Sequence, residues 1–449
     1  MNKGDSKYNL SDWSITLLFD VAQIIDPHPS HRAPDEVNKG IPFCGIGDIN
    51  ENGTFRLNKV RLVSPSIYDE HAKRYKVTSN TIGFGRVATI GKVIDFKDTD
   101  FIFTISPTMA LLEPKRNICR DYLLHYLKSE YVKEQIDKLL TGSTRSSLGI
   151  ELLRTIKIKA PGLLIQQKIA KVLSTLDNQI EQTQSLIDKY TAIKQGLMAD
   201  LFSRGIDVKT KKLRPSYQQA PEIYHETALG WIPIEWKVGE LQSFCSEIID
   251  CPHSTPKFTD EGFLVARTFN ISNGVFSNKN ASFVDEQGYK DRCSRLEPKA
   301  LDIVFTREAP VGEAFVIPEG MKICLGQRVM LIRTDSEKLI SHYMLQYIYS
   351  HTSKNLIANK VGGTTTPHLN VSDVKAFLTI VPEVTEQKLI AEKLIAIDEK
   401  VKIFKQEKHK YQVKQKGLMQ DLLTGKKSVD SLPDSISSPV FSSEEAAQK

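Results

Sequence analysis

Pro161-Gly162-Leu163-Leu164-Ile165-Gln166-Gln167-Lys168-Ile169-Ala170-Lys171-Val172-Leu173 is written again, 221 positions later and without a gap, as Pro382-Glu383-Val384-Thr385-Glu386-Gln387-Lys388-Leu389-Ile390-Ala391-Glu392-Lys393-Leu394. The match continues down the chain, with Asp177 on Asp398 and Gly196-Leu197-Met198 on Gly417-Leu418-Met419. An internal repeat decides the architecture before any single element does, because each copy is one structural unit. The register also runs backward. Gly142-Ser143-Thr144 meets Gly363-Thr364-Thr365, and Phe84, Arg86, Ala88, Ile90 and Gly91 meet Phe305, Arg307, Ala309, Val311 and Gly312. Near the start of each copy the offset drifts slightly, so that Trp13 pairs with Trp236 and Ile24-Ile25-Asp26 with Ile248-Ile249-Asp250. Each copy is therefore a globular region followed by a helix.

The two helices carry heptads. Ile169, Leu176, Thr183, Tyr190 and Leu197 recur every seven residues, and Leu173, Ile180, Ile187, Lys194 and Leu201 form the companion seam. In the second copy the seams are Ile390, Ile397, Phe404, Tyr411 and Leu418, with Leu394, Val401, Lys408, Gln415 and Leu422. Apolar residues at a and d positions mark helices that pack along a narrow stripe. Two such helices in one chain most simply bury their stripes against each other, which predicts an intramolecular antiparallel coiled coil. A helix of about 37 residues is roughly 55 Å long, about one and a half turns of B-DNA. A helical hairpin serving only as a dimerisation element is the less favoured alternative that the stripes alone allow.

The globular regions read as mixed strand and helix. Lys92-Val93-Ile94-Asp95-Phe96, Phe101-Ile102-Phe103-Thr104-Ile105 and Ala314-Phe315-Val316-Ile317 predict strands separated by Gly and Pro turns. Asp121–Leu127 and Ser341–Ile348 have helical spacing, and both precede the small polar loops Gly142–Ser147 and Gly362–His368. The predicted class is α+β. Its divisions are a globular region over residues 1–160, a helix over 161–204, a linker over 205–230, a globular region over 231–381, a helix over 382–425 and a Ser-rich disordered tail over 426–449.

Composition excludes several classes. With 449 residues and 40% hydrophobic residues there is material for two or three cored domains. No apolar stretch is long enough for a membrane span. Met1-Asn2-Lys3-Gly4-Asp5 leads into a polar segment rather than a signal peptide, so the cytoplasm is the expected location. Six scattered cysteines show no CxxC pair, which favours reduced, packed thiols. Cys251-Pro252-His253 offers two ligands where a structural zinc site needs four, and no metal is predicted. A net charge of +6 permits polyanion binding without demanding it. The lysines at 400, 402, 405, 408, 410, 414 and 416 suit a solvated helix face better than a DNA contact.

Chemistry is nearly absent. There is no GxxxxGK[ST], HExxH or GxSxG. Gly45-Ile46-Gly47-Asp48 and Gly83-Phe84-Gly85-Arg86 lack the full dinucleotide fingerprint and read as turns. Pro34-Asp35-Glu36 with Lys39 is too loose for a nuclease site. The pattern is that of a reader or a scaffold.

A Trp-led module, a Gly47-Asp48-Ile49 segment matched by Phe269-Asn270-Ile271, a Pro-to-Gln-Lys helix start, a heptad helix and Gly-Leu-Met are all given twice. This order resembles the DNA specificity (S) subunit of type I restriction-modification systems, over nearly the whole chain. Ala228-Leu229-Gly230-Trp231-Ile232-Pro233 before Trp236 is similar to that family's approach to its second module. The resemblance implies two target-recognition domains, each reading half of a split double-stranded DNA sequence. It implies that the paired helices set the unread spacer and dock two methyltransferase subunits. It places S-adenosylmethionine, ATP and Mg on the methyltransferase and the restriction/translocase subunits, and no cofactor on this chain, which would be non-catalytic. The helix starts Gly162-Leu163-Leu164-Ile165 and Glu383-Val384-Thr385-Glu386 depart from one another.

Modules that read different half-sites should share residues that position the backbone and differ in those that touch base edges. Arg86 and Arg307, shared, are phosphate-contact or scaffold candidates, with an internal ion pair an equal alternative. His28, His31 and Arg32 in one divergent loop, His253 and Lys257 in the other, and Arg145 and His368 are candidates to read bases. The same architecture would suit a specificity subunit of a type II system, or a coiled-coil scaffold that never touches DNA.

Overall fold

The computed structural model describes residues 13–28, 33–141, 147–362 and 367–431. The chain divides into two compact units, one holding the chain up to Ser185 and again from Lys405, the other Leu186–Phe404. Both long helices cross this division, so each unit owns a share of each.

In the first unit a four-stranded antiparallel sheet runs in the order Ala22–Ile25, Met109–Pro114, Ile82–Gly85 and Val93–Asp95. A three-stranded sheet orders Leu62–Val63, Ile41–Cys44 and Thr104–Ile105, the last pair parallel. Ser14–Leu17 pairs separately with Lys157–Ala160.

The second unit contains the same plan. Its four strands are Cys245–Asp250, Val329–Thr334, Ile303–Thr306 and Ala314–Val316. Its three are Ser282–Val284, Phe263–Ala266 and Ile323–Leu325, again with the last pair parallel. Lys237–Glu240 pairs with Leu378–Val381. The repeat thus extends to strand order and direction, as expected of two copies of one α+β module.

Two sequence expectations change in detail. Gly83-Phe84-Gly85 is no turn but lies in a fully buried strand, Ile82–Gly85. A Cβ on Gly85 would sit 2.3 Å from the Thr89 carbonyl oxygen, so glycine here answers a close backbone approach rather than a bend. The aromatic run 101–105 yields a strand at Thr104–Ile105 alone, while Phe101 and Phe103 pack in a cluster with Phe55.

Matched polar contacts tie the inner helix of each globular region to its closing strand and to the start of its long helix. The hydroxyls of Tyr122 and Tyr343 donate to the carbonyls of Lys159 and Ile380. The repeated glutamine of the helix start is buried in both copies. Gln166 donates to the Pro161 carbonyl at 2.7 Å and accepts from Cys119 N at 2.8 Å. Gln387 donates to the Pro382 and Lys338 carbonyls and accepts from Ile340 N, also at 2.8 Å. The Pro-to-Gln motif is therefore a structural clip: its amide pairs backbone groups that burial would otherwise leave unpaired.

The central helix spans Leu163–Ser203 and the C-terminal helix Val384–Leu422. They pack antiparallel, and polar residues at weak seam positions make cross-helix bonds. In the first unit Gln415 donates to Asp177, and Lys408 donates to Gln184 at 2.5 Å. In the second, Lys194 holds both Asp398 oxygens at 2.7 Å, and the Tyr190 and Phe404 rings lie 5.5 Å apart. Partners on one helix rise in number as those on the other fall, which is the antiparallel register.

Every seam residue expected to pack lies away from full exposure. Ile169, Leu173, Leu176, Ile187, Ile390 and Leu394 are buried, and Ile180, Tyr190, Leu197, Ile397, Val401, Phe404, Tyr411 and Leu418 are half-buried. Lys400, Lys402, Lys405, Lys410, Lys414 and Lys416 are exposed, as a solvated face should be.

His125 sits where the second copy has Gln346. Its Nε2 is 3.1 Å from Ser174 Oγ and its Nδ1 3.6 Å from Asp177. Gln346 instead donates to Asp398 at 3.0 Å. Burial pushes the His125 pKa from 6.5 down to about 4, against the pull of Asp177. The unfolded chain then takes up a proton between about pH 6.5 and 4 that the folded chain refuses. Stability is consequently complete above that window and falls as pH drops through it. For the first unit we expect a loss of about 1–3 kcal/mol between pH 7 and 4.5. His125→Gln, copying the second module, should flatten this region of the pH profile in thermal unfolding. An unchanged profile would assign the acid sensitivity elsewhere.

The stretch between the copies is itself folded. Ile206 bridges to Leu213, and Tyr224–Thr227 forms a hairpin with Gly230–Pro233. The first residues of the stretch expected as a disordered tail are ordered: Val429 is buried in the first unit's core, and Asp430 pairs with Lys168 at 2.6 Å. Of the serines in that stretch, Ser435, Ser437, Ser438, Ser442 and Ser443 lie outside the described residues. Among the described residues no helix is long and apolar enough to cross a membrane.

Candidate nucleic-acid interface

The shared arginines occupy equivalent, internal positions. Arg86 is 6% exposed; its Nη1 lies 3.2 Å from Asp26, and its Nε donates to the Leu148 carbonyl at 3.0 Å. Arg307 is 8% exposed, reaches Asp250 at 3.1 Å through Nε, and donates to the Leu369 carbonyl at 3.0 Å. The backbone amides of Leu148 and Leu369 donate back to the carbonyls of Arg86 and Arg307.

Both guanidinium groups thus face inward, onto a carboxylate and the backbone just past each small polar loop. This is the ion-pair alternative, and it corrects the phosphate-contact reading: groups so engaged hold loops in place. The carboxylates Asp26 and Asp250 were missed as partners. Their signal was present, since both lie in the aligned Ile-Ile-Asp segments.

The candidate readers separate into three groups. His28 is a correction: it is 8% exposed, with its ring 5.0 Å from that of His71 and 5.9 Å from that of Phe43. His71 Nδ1 in turn lies 2.5 Å from Thr104 Oγ1, and burial, followed by His28, lowers the His71 pKa. An imidazole offered from sequence as a surface reader is here a core ring. His31, Arg32 and Arg145 lie outside the described residues.

His253, Lys257 and His368 are exposed. His253 Nε2 lies 3.3 Å from the same Asp250 that holds Arg307. His368 is bridged to Glu308, the neighbour of Arg307.

The His253–Lys257 loop is braced from within. Arg292, 5% exposed, donates to the carbonyls of Pro252 at 3.0 Å, Ser254 at 2.8 Å and Leu325 at 2.5 Å. Gln327 donates to the His253 carbonyl at 2.9 Å, and Arg295 to that of Asp250 at 3.2 Å. A loop whose backbone oxygens are held from below presents its side chains in a fixed geometry, which is what a recognition surface requires. Next to it Arg267 stacks over the rings of Phe258 and Phe269, at 4.9 and 4.6 Å. Arg267 and Phe258 were missed from sequence because neither stands in a repeated motif.

Among the described residues no group of three or more His, Cys, Asp or Glu could hold a metal ion. Buried Cys251 faces desolvation that raises its pKa, and His253 beside it is committed to Asp250.

Comparison with known proteins follows the same duplication. The type I restriction modification DNA specificity domain matches twice, over residues 11–189 and 233–412. A putative type I restriction enzyme MjaX specificity subunit of Methanocaldococcus jannaschii is 26% identical over 92% of this chain and 93% of its own. The MjaVIII specificity subunit of the same organism is 28% identical over 73% and 75%. Among solved structures, a type I restriction-modification S subunit from M. genitalium has a TM-score of 0.57 at 14% identity, covering 94% of this chain and 98% of that one. At that identity the likeness speaks to the fold.

Proposed function

Because the chain belongs to the family of type I restriction-modification DNA specificity subunits, we propose that it reads a bipartite double-stranded DNA target, one half-site per module. The observation that carries this reading is the division of labour within the repeat. Buried ion pairs, Asp26–Arg86 and Asp250–Arg307, are common to both copies. Exposed basic residues such as Lys257 stand on a braced loop that diverges between them. Shared scaffold with divergent loops is the pattern expected of two readers of different sequences.

In this reading the long helices set the length of DNA left unread and dock two methyltransferase subunits, and restriction/translocase subunits complete the complex. The chain itself is non-catalytic and works in the cytoplasm. Adenine methylation with S-adenosylmethionine, and ATP- and Mg-dependent translocation and cleavage, belong to the partners.

Binding of the assembled complex to DNA, titrated against salt, tests the proposal. The logarithm of affinity should fall with the logarithm of salt by about 0.9 per phosphate neutralised, and target DNA should outcompete random duplex at every salt concentration. No measurable binding to DNA at any salt concentration would leave a scaffold that does not touch DNA.

A further inference from the structure

The strand Phe263–Ala266 leads into Arg267-Thr268-Phe269-Asn270-Ile271, while its counterpart Ile41–Cys44 leads into Gly45-Ile46-Gly47-Asp48-Ile49. The two strands hold the same place in the same three-stranded sheet. Asn270 and Ile271 are buried, as is Ile49. What differs is the pair of residues turned toward solvent: Arg267 and Phe269 replace Gly45 and Gly47. A Cβ at Gly47 would meet nothing within 4 Å, whereas one at Gly45 would lie 3.3 Å from the Asp48, Ser106 and Thr108 side chains, so the first module leaves open the place of Phe269 and closes that of Arg267 with its own polar groups.

The filling is costly unless it is used. Phe269 is 52% exposed and Phe258 41%, and large aromatic rings left in water beside a basic group are what interfaces present. The Arg267 guanidinium lies over both rings and donates through Nη1 to Ser282 Oγ at 3.1 Å. Among the described residues it has no carboxylate partner, unlike Arg307, which holds Asp250, and it has one hydrogen-bond acceptor where the Arg292 guanidinium has three backbone carbonyls. Stacking takes away the water on the faces of the guanidinium plane and fixes its direction, and Ser282 holds one corner of the fork. A planar fork so held suits two parallel hydrogen bonds to a flat acceptor edge. In the DNA major groove, O6 and N7 of guanine form such an edge.

We infer that Arg267, aimed by Phe258, Phe269 and Ser282, reads a guanine in the half-site recognised by the second module. Lys257, adjacent to Phe258 and exposed, supplies charge toward the neighbouring phosphates. The first module, with glycine at both positions, has no such reader at this point. This inference rests on the proposed function.

The test uses the full complex with its methyltransferase subunits, and methylated sites are mapped for wild type, Arg267→Ala, Arg267→Lys and Phe269→Ala. For Arg267→Ala, discrimination at one G·C pair of the second half-site should fall about 10- to 100-fold, with the first half-site unchanged. Arg267→Lys should relax the same position, because an ammonium keeps the charge but not the fork. Phe269→Ala should relax it less.

A lysine variant with wild-type sequence preference, or an alanine variant that weakens binding to all sequences alike, would make Arg267 a phosphate contact and overturn the inference. An unchanged motif in a complex that assembles and melts normally would overturn it as well. A wild-type complex that methylates no split motif would instead refute the proposed function.

Discussion

Glu386→Ala should lower the unfolding free energy of the second unit by about 3–5 kcal/mol, one of the two largest single-residue effects we expect in this chain. Glu386 is 2% exposed, and its carboxylate accepts from four donors. These are Ile206 N at 2.7 Å, Trp236 Nε1 at 3.0 Å, and both Nη atoms of Arg214, at 2.5 and 3.0 Å. Truncation leaves a buried indole N–H and a buried backbone N–H without an acceptor, and leaves Arg214 with Glu235, at 3.0 Å, as its remaining carboxylate partner. Removing one partner of a buried pair is far worse than replacing the whole pair.

The neighbouring backbone leaves no slack. Gly205 sits at φ +65°, and a Cβ there would lie 2.1 Å from Glu386 Oε1 and 2.2 Å from the Trp236 ring. Glu386→Gln, which can accept from the indole but cannot neutralise Arg214, should lose less. Urea unfolding of the three proteins measures this, and a loss below about 1 kcal/mol for the alanine variant would show that the hub is not needed. The equivalent position in the first copy is Ile165, so the hub also explains why the two helix starts diverge: one must receive the folded connection between copies.

Arg307→Ala is the second large effect, and it has two readouts. The guanidinium holds Asp250 at 3.1 and 3.2 Å and the Leu369 carbonyl at 3.0 Å. Its removal leaves Asp250 with the His253 ring, at 3.3 Å, in place of a buried guanidinium, and should cost about 3 kcal/mol or more. Asp250 is also the residue from which the His253–Lys257 loop departs, and Leu369 follows the bridge that fixes His368. Both exposed segments should loosen together. In a complex that still assembles, the second half-site should become degenerate while the first remains sharp. Arg86→Ala should do the reverse, through Asp26 and Leu148. If either variant relaxed both half-sites equally, the arginines would be acting on global stability and not on their own modules.

What could be read from the sequence followed from repetition. Two copies in one register revealed the modules, the helices and their heptads, because core patterning is periodic. The seam positions that broke the pattern, Lys194, Lys408 and Gln415, are explained by partners on the facing helix, Asp398, Gln184 and Asp177. Such pairs cannot be guessed without knowing that the helices run antiparallel.

The site was harder to read, since residue type does not report direction. Arg86, Arg307 and His28 look like surface groups in a linear sequence, yet long-range partners draw them inward. Arg267 showed no motif, and its interest comes from two aromatic rings brought to it by folding and from the glycine opposite in the other copy.

Mapping methylated adenines in DNA from cells that express this chain together with the methyltransferase subunits of its system tests the central claim most directly. The account predicts one split motif, two short specific halves around an unread gap, with Arg307→Ala blurring one half and Arg86→Ala the other. A soluble, assembled complex that adds no new methylated motif, or adds a continuous one, would contradict it.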